Sequence, residues 1–181
     1  MIYLDPRETF PLRELLMAMT IKSANDAAYQ VGDFLSNGDL PAFVAEMNTR
    51  AFELGMPGTH FINPHGLPDR QGNNSRSSAV GMVLLGEALL QYPQVMEWAS
   101  TRQTFIRNGK TELTNTNNLF RRMHCPGVDG LKTGYTRAAG FCLTFTCLRN
   151  GRRLIGVVTG AARARERDDF AFALLNWGYG R

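Results

Sequence analysis

"FCLTFTCLRNGRRLIGVVTG", Phe141 to Gly160, decides the class of fold. Both halves are rich in β-branched and aromatic residues, and they flank Asn150-Gly151. Asn-Gly supplies the left-handed backbone that a two-residue hairpin turn requires. The stretch therefore predicts two antiparallel strands, roughly 141–148 and 152–159. Upstream, "QTFIRNGKTEL" alternates around Asn108-Gly109 and predicts another hairpin with the same kind of turn. Downstream, "RERDDFAFALLNWGY" sets Phe170, Leu174 and Trp177 on one helical stripe.

Earlier in the chain the period is helical. Leu12, Leu15, Leu16 and Met19 follow Pro11 at helical spacing. Ala24, Ala27, Ala28, Val31 and Phe34/Leu35 share a face in a second helix that ends at "SNGD". Asp39 is placed to cap a third helix carrying Phe43, Met47 and Leu54, with Gly55 at its end. "GTHFINPHGLPDRQGNNS" is a long irregular stretch. Ser77 or Ser78 then caps "AVGMVLLGEALLQ", apolar on nearly every face and so expected to be central, and a short helix follows Pro93. Helices, then antiparallel strands, then a helix predict an α+β fold: an antiparallel sheet flanked by helices, with a helical cluster to one side. No repeat or linker divides the 181 residues, so one domain is expected over 1–181.

With 44% hydrophobic and 20% charged residues, the composition is that of a soluble globular protein. The net charge of +4 is not gathered into a tract. Arg121-Arg122 and the group Arg163, Arg165, Glu166, Arg167 read as solvated faces, so no nucleic-acid partner is expected. Cys125, Cys142 and Cys147 fit no zinc spacing and read as small buried residues without disulfides. The first residues carry neither a basic region nor an apolar run, so no signal peptide is expected within the chain, and no stretch matches a membrane span.

Polar residues gather in three places. "KSAND", Lys22 to Asp26, lies between two helical runs. Ser23 there either caps the second helix or sits on a turn facing a cleft, where its hydroxyl relays a proton and the Asn25 amide holds a substrate carbonyl. "KTG", Lys132 to Gly134, lies in a short strand with Lys132 and Gly134 on one face and Thr133 on the other. It reads either as an edge guarded by a lysine or as an edge that receives an extended peptide and its carboxylate. His60 and His65 in "THFINPHGL" brace a loop, since Pro64 and Gly66 break any helix that could align them on a metal. "NTNNL", Asn115 to Leu119, predicts a turn bonded by side-chain amides. Asp26 and Asp129 stand as isolated acids without an acid–base role.

Taken in order, Ser-x-Asn at 23–25, "TxFxNPHGL" at 59–67, "NTNNL" at 115–119 and "GVDGLKTGYT" at 127–136 give a more specific signal than any one of them. The chain resembles the serine-type D-Ala-D-Ala carboxypeptidases, the low-molecular-weight penicillin-binding proteins, from about Tyr3 to Trp177. Lys-Thr-Gly belongs to the signature set of penicillin-binding proteins and β-lactamases, and Ser23-Ala24-Asn25 is a variant of its Ser-Asp-Asn, with alanine in the middle. The resemblance implies a β-lactamase-like, DD-peptidase fold, incomplete on its N-terminal side. It implies that Ser23 passes a proton to the leaving D-alanine and that Asn25 orients the substrate amide. Lys132 is implied to complete the electrostatic network around that hydroxyl. Thr133 and Gly134 are implied to recognise the terminal carboxylate and backbone, with the Thr136 hydroxyl beside them. The implied partners are a peptidoglycan stem peptide ending in D-Ala-D-Ala and β-lactams, with no cofactor or metal, at the extracytoplasmic face of a bacterial membrane.

One departure from the pattern matters. No serine in the chain is followed three residues later by a lysine, so the Ser-x-x-Lys nucleophile motif does not occur in it. The resemblance then implies a partial domain, inactive by itself and leaving apolar surface that a companion segment or self-association covers. A non-catalytic peptidoglycan-binding remnant is the alternative. β-Lactamase activity is a third reading, disfavoured because "TxFxNPHGL" and "NTNNL" resemble the carboxypeptidases.

Overall fold

Residues 140–161 form the expected hairpin, β4 (Gly140–Arg149) and β5 (Arg152–Ala161), turned by Asn150 at φ 49° and Gly151 at φ 76°. Arg149 stands directly opposite Arg152, so the turn has the two residues that Asn-Gly predicts. β3 (Val128–Thr136) pairs antiparallel with β4 and is an edge of the sheet β3-β4-β5. The computed structural model describes residues 1–121 and 125–180; Arg122 of the basic pair lies outside the described residues.

Helices cover both faces of this sheet. α6 (Ala164–Tyr179) lays Ala171 and Leu175 on Leu143, Phe145, Cys147 and Val158. Strand alternation turns Thr144 to the opposite face, where Gly86 of α4 (Ala79–Leu89) lies against it and against Leu131 and Ile155. α5 (Pro93–Ser100) packs on β3, with Ala99 beside Gly130. The stripe predicted for α6 is corrected: Phe170 and Trp177 are 57% and 60% exposed. The buried line instead runs through Asp168, Ala171 and Leu175, which step by three and four, with Arg167 one turn before Ala171. Arg167 is accordingly no solvated residue; it is buried and ion-paired with Asp168 at 2.7 Å. α4 is less central than its composition predicts, since only Gly81 and Gly86 of its residues are buried and Val80 is 61% exposed.

The helical half forms around α1 (Leu12–Met17), a π-helical turn (Ala18–Lys22), α2 (Asn25–Leu35) and α3 (Leu40–Glu53). Asp39 caps α3 and Ser78 caps α4, each accepting a 3.0 Å bond from a backbone N–H. Leu15, Ile21, Ala27 and Val31 build a core with Trp98 and with the small hairpin of β1 (Gln103–Ile106) and β2 (Thr111–Thr114). The expected face of α2 is corrected at its end, where Phe34 and Leu35 are exposed. That hairpin corrects the second turn expectation. Ile106 pairs with Thr111, so its loop has the four residues 107–110. Arg107, Asn108 and Gly109 all take left-handed backbone, and the Arg107 guanidinium is anchored outside the hairpin. It donates to Ile2 O at 2.7 Å, pairs with Glu8 at 2.8 Å and lies 4.7 Å above the Phe10 ring. Asp26 is likewise no isolated acid: its carboxylate accepts from Ile2 N at 2.9 Å and Tyr3 N at 2.7 Å. Cys125 and Cys147 are buried, Cys142 is half-buried, and no disulfide joins them.

Asp129 also has partners that the sequence could not display. It receives the Thr146 hydroxyl at 2.6 Å and pairs with Arg153 at 2.8 Å, joining β3, β4 and β5. Both side chains are less than a third exposed, at 28% and 29%, so the pair is only partly screened. Asp129→Ala removes the carboxylate that Arg153 and Thr146 share, leaving them only their bond to each other, and is expected to cost about 1–2 kcal/mol in urea unfolding. A loss under about 0.3 kcal/mol contradicts a clamping role.

Candidate active site

"KSAND" occupies the joint between the π-helical turn and α2. A π turn inserts an extra residue into a helix, and such turns are frequent at functional sites. Ser23 N closes it on Ala18 O, and Ser23 itself adopts φ 59°, ψ 44°. That left-handed conformation is strained for a residue with a side chain, by about 1–2 kcal/mol. It also settles the capping alternative. A cap needs extended backbone; Ala24 occupies that position and no side chain caps α2. Among the described residues, neither the Ser23 hydroxyl nor the Asn25 amide has a hydrogen-bond partner. Both residues are half-buried. The turn is held from beneath: Ile21 and Ala24 are buried, Lys22 Nζ donates to Glu112 O at 3.0 Å, and Thr116 N donates to Ile21 O at 3.3 Å.

Lys132, Thr133 and Gly134 stand opposite Thr144, Leu143 and Cys142, which sets Lys132 and Gly134 on one face and Thr133 on the other. Gly134 is exposed, and a Cβ added there meets nothing within 4 Å. Ligand backbone can therefore approach this edge without displacing protein. Lys132 is half-buried and donates from Nζ to Thr133 O at 2.9 Å. Burial, and secondarily the charge of Arg167, push its pKa down to about 8. No hydrogen bond joins Nζ to Ser23 among the described residues. Thr136 Oγ1 accepts from Ala139 N at 3.0 Å, which shapes the β3–β4 turn and leaves the hydroxyl proton free to donate.

The two motifs meet through "NTNNL". Asn115 Nδ2 donates to Ala99 O and Thr101 O at 3.0 and 2.9 Å. Asn117 N donates to Asn115 Oδ1 at 2.9 Å, while Asn117 Nδ2 reaches Gly130 O at 3.3 Å. The turn is built from side-chain amides, as its sequence predicts. Between them, Thr116 Oγ1 lies 2.6 Å from Thr133 Oγ1 while its own N–H holds the π turn. Sequence reasoning gave Thr116 no role; its only signal was its place between two motif asparagines.

His60 and His65 brace their loop. His60 exchanges backbone bonds with Arg76, and His65 Nδ1 accepts from Leu67 N at 3.2 Å. Burial lowers the His65 pKa. No cluster of three metal-ligating side chains occurs among the described residues. An apolar cavity of about 590 Å³ lies beside this loop, lined by Tyr29, Val44, Asn48 and Phe61. It touches no Ser-x-Asn or Lys-Thr-Gly residue, and its Asn48 amide is already engaged by Val44 O, Phe61 O and Phe61 N. The half-buried ammonium and the unpartnered hydroxyl–amide pair offer chemistry that this cavity lacks. Among the described residues no helix is long and apolar enough to cross a membrane.

The family model described as D-alanyl-D-alanine carboxypeptidase matches residues 1–163. D-alanyl-D-alanine carboxypeptidase DacF of Bacillus subtilis is 38% identical, with 95% of this chain and 45% of the relative covered. DacA of Escherichia coli is 32% identical over 99% of this chain and 43% of its own length. The chain thus spans a little under half the length of these curated relatives. Among solved structures, penicillin-binding protein D2 of Listeria monocytogenes, in its cefotaxime-bound form, is 36% identical with a TM-score of 0.85. That likeness covers 96% of this chain and 68% of the other.

Proposed function

The chain belongs to the D-alanyl-D-alanine carboxypeptidase family, and we propose that it carries the ligand-recognising part of such an enzyme. The observation that carries this reading is the open Gly134 edge beside a half-buried ammonium, tied through Thr116 to the unpartnered Ser23–Asn25 pair. The ligand is a cell-wall stem peptide ending in D-Ala-D-Ala, laid along β3 with its terminal carboxylate near Lys132, Thr133 and Thr136. Asn25 holds the amide to be cut. In the complete reaction a serine oxygen attacks the penultimate carbonyl carbon, and the C–N bond to the last D-alanine breaks. Ser23 passes a proton to the departing amine, and water then releases the acyl group. The site of action is peptidoglycan outside the cytoplasmic membrane. The Listeria protein was solved with cefotaxime and with ampicillin, and β-lactams are proposed to enter the same cleft here.

The attacking serine of Ser-x-x-Lys is not among these 181 residues. Acyl transfer needs an activated nucleophile, so the chain by itself binds ligand without forming an acyl-enzyme. Incubated with a fluorescent penicillin and then denatured, the purified chain is expected to retain no label. A stoichiometric covalent adduct overturns this. A binding module that works without a nucleophile is the second reading, and it rests on the same missing motif. Coding DNA upstream of Met1 separates the two: an in-frame Ser-x-x-Lys there favours the enzyme. A companion segment is also proposed to cover the outer faces of α4 and α6, where Val80 and Phe170 are exposed.

A further inference from the structure

Thr116 and Thr133 approach to 2.6 Å oxygen to oxygen, a short bond between two groups that can each donate or accept. One proton lies between them, and its direction fixes what Thr133 offers to a ligand. If Thr133 donates to Thr116, only lone pairs remain to face a carboxylate, and those repel it. If Thr116 donates to Thr133, the Thr133 proton is free to point outward at an acceptor. A donor that is itself accepting a hydrogen bond is polarised and donates more strongly. We infer that Thr116 is a positioning residue: it donates to Thr133 Oγ1 and so sets Thr133 as a donor to the ligand carboxylate. This rests on the reading of β3 as the carboxylate-binding edge.

The surroundings keep Thr116 in place for that role. Asn115 and Asn117 on either side are buried and bonded to α5 and β3, so the backbone between them cannot drift. The Thr116 N–H is committed to Ile21 O in the π turn, two residues before Ser23. Thr116 therefore holds the hydroxyl–amide turn with its backbone and aims the strand's threonine with its side chain. A substitution that keeps the backbone and removes only the hydroxyl separates the two tasks.

Thr116→Val is close in shape and cannot donate, whereas Thr116→Ser restores the hydroxyl. The probes are an acetylated peptide ending in D-Ala-D-Ala and the same peptide as its carboxamide, titrated by calorimetry against the whole chain. A carboxylate only accepts, while a carboxamide also donates, so the hydroxyl direction separates them. The wild-type chain is expected to prefer the carboxylate. Thr116→Val is expected to weaken carboxylate binding about 10-fold and carboxamide binding less than about threefold; Thr116→Ser is expected to stay within about twofold of wild type. An equal loss for both peptides, or no loss, overturns the inference, because loosened packing would not sense the terminal group. If the wild-type chain binds neither peptide, the carboxylate-edge reading fails on that ground alone. Amide hydrogen exchange at Thr133 and Gly134 then judges the contact itself. Faster exchange in Thr116→Val with wild-type exchange in Thr116→Ser supports it, and unchanged exchange in both overturns it.

Discussion

Lys132→Met is expected to weaken binding of an acetylated D-Ala-D-Ala peptide by about 50- to 100-fold, the worth of one charge-assisted bond to a carboxylate in a partly dry site. Methionine preserves the length and apolar stem of the side chain, so the loss reports charge rather than packing. The same residue gives the binding a pH signature. The amine's pKa is pushed down to about 8 by burial and by Arg167, so its charge is present below that pH and lost above it. Wild-type affinity is expected to hold steady up to about pH 7.5. It then falls by up to 10-fold per unit and levels off at the higher pKa of the complexed amine, because a bound carboxylate favours the charged form. The Met variant stays flat. A wild-type profile unchanged between pH 7 and 10 removes Lys132 from the ligand.

The stability of the fold moves the opposite way over that window. The unfolded lysine titrates near its ordinary 10.5 and the folded one near 8, so between those values the unfolded chain binds more protons. Stability therefore rises with pH from about 8 to 10.5, and the cost of holding a charged amine is fully present below 8. Lys132→Met is accordingly expected to stabilise the chain at pH 7, by about 1 kcal/mol after allowance for partial exposure. A residue that weakens the fold while strengthening a ligand contact is placed for binding.

Gly156→Ala is expected to be the most damaging small substitution in the sheet, costing about 3 kcal/mol or preventing folding. A Cβ at 156 would overlap the Phe145 ring, with Cε1 and Cε2 both at 2.7 Å. Phe145 is 1% exposed and cannot swing aside, since Leu143, Ala171 and Leu175 close the cluster around it. Gly156 faces Phe145 directly across β4 and β5, so the missing side chain is what lets the ring lie over the strand. Chemical denaturation of the variant against wild type measures the loss. A shift under about 1 kcal/mol means that the strands can separate locally to admit the methyl group. By contrast Gly134→Ala meets open space and is expected to leave stability within about 0.5 kcal/mol of wild type.

Local chemistry made most of the fold legible. Asn150-Gly151 predicts its own turn because only a short list of residues accepts that backbone, and Asp39 and Ser78 cap because their oxygens meet orphan N–H groups nearby. The misses share a long-range cause. The loop at Arg107 grew to four residues for the sake of contacts with Ile2 and Glu8, about a hundred positions away in sequence. α6 shows the sheet its Ala171 line, which is less hydrophobic than the Phe170 line that periodicity favoured, because the bulky Phe145 and Leu143 already fill that interface. Asp26 and Asp129 looked isolated because the backbone amides and the arginine that satisfy them come from distant elements. At the candidate site, motif order located Ser23, Asn25 and Lys132. The π turn and the Thr116–Thr133 contact had no local signature, since each depends on two segments meeting.

The clasp of Asp26 on the amides of Ile2 and Tyr3 has a practical side. It seats the first residues against the same short segment that carries Ser23 and Asn25. Any polypeptide fused ahead of Met1 thus emerges next to the cleft mouth, where an affinity handle or fluorophore could obstruct it. α6 ends instead beside the Asn150-Gly151 turn, where the Tyr179 hydroxyl lies 2.6 Å from Cys147 O, and a reporter attached there starts from that turn.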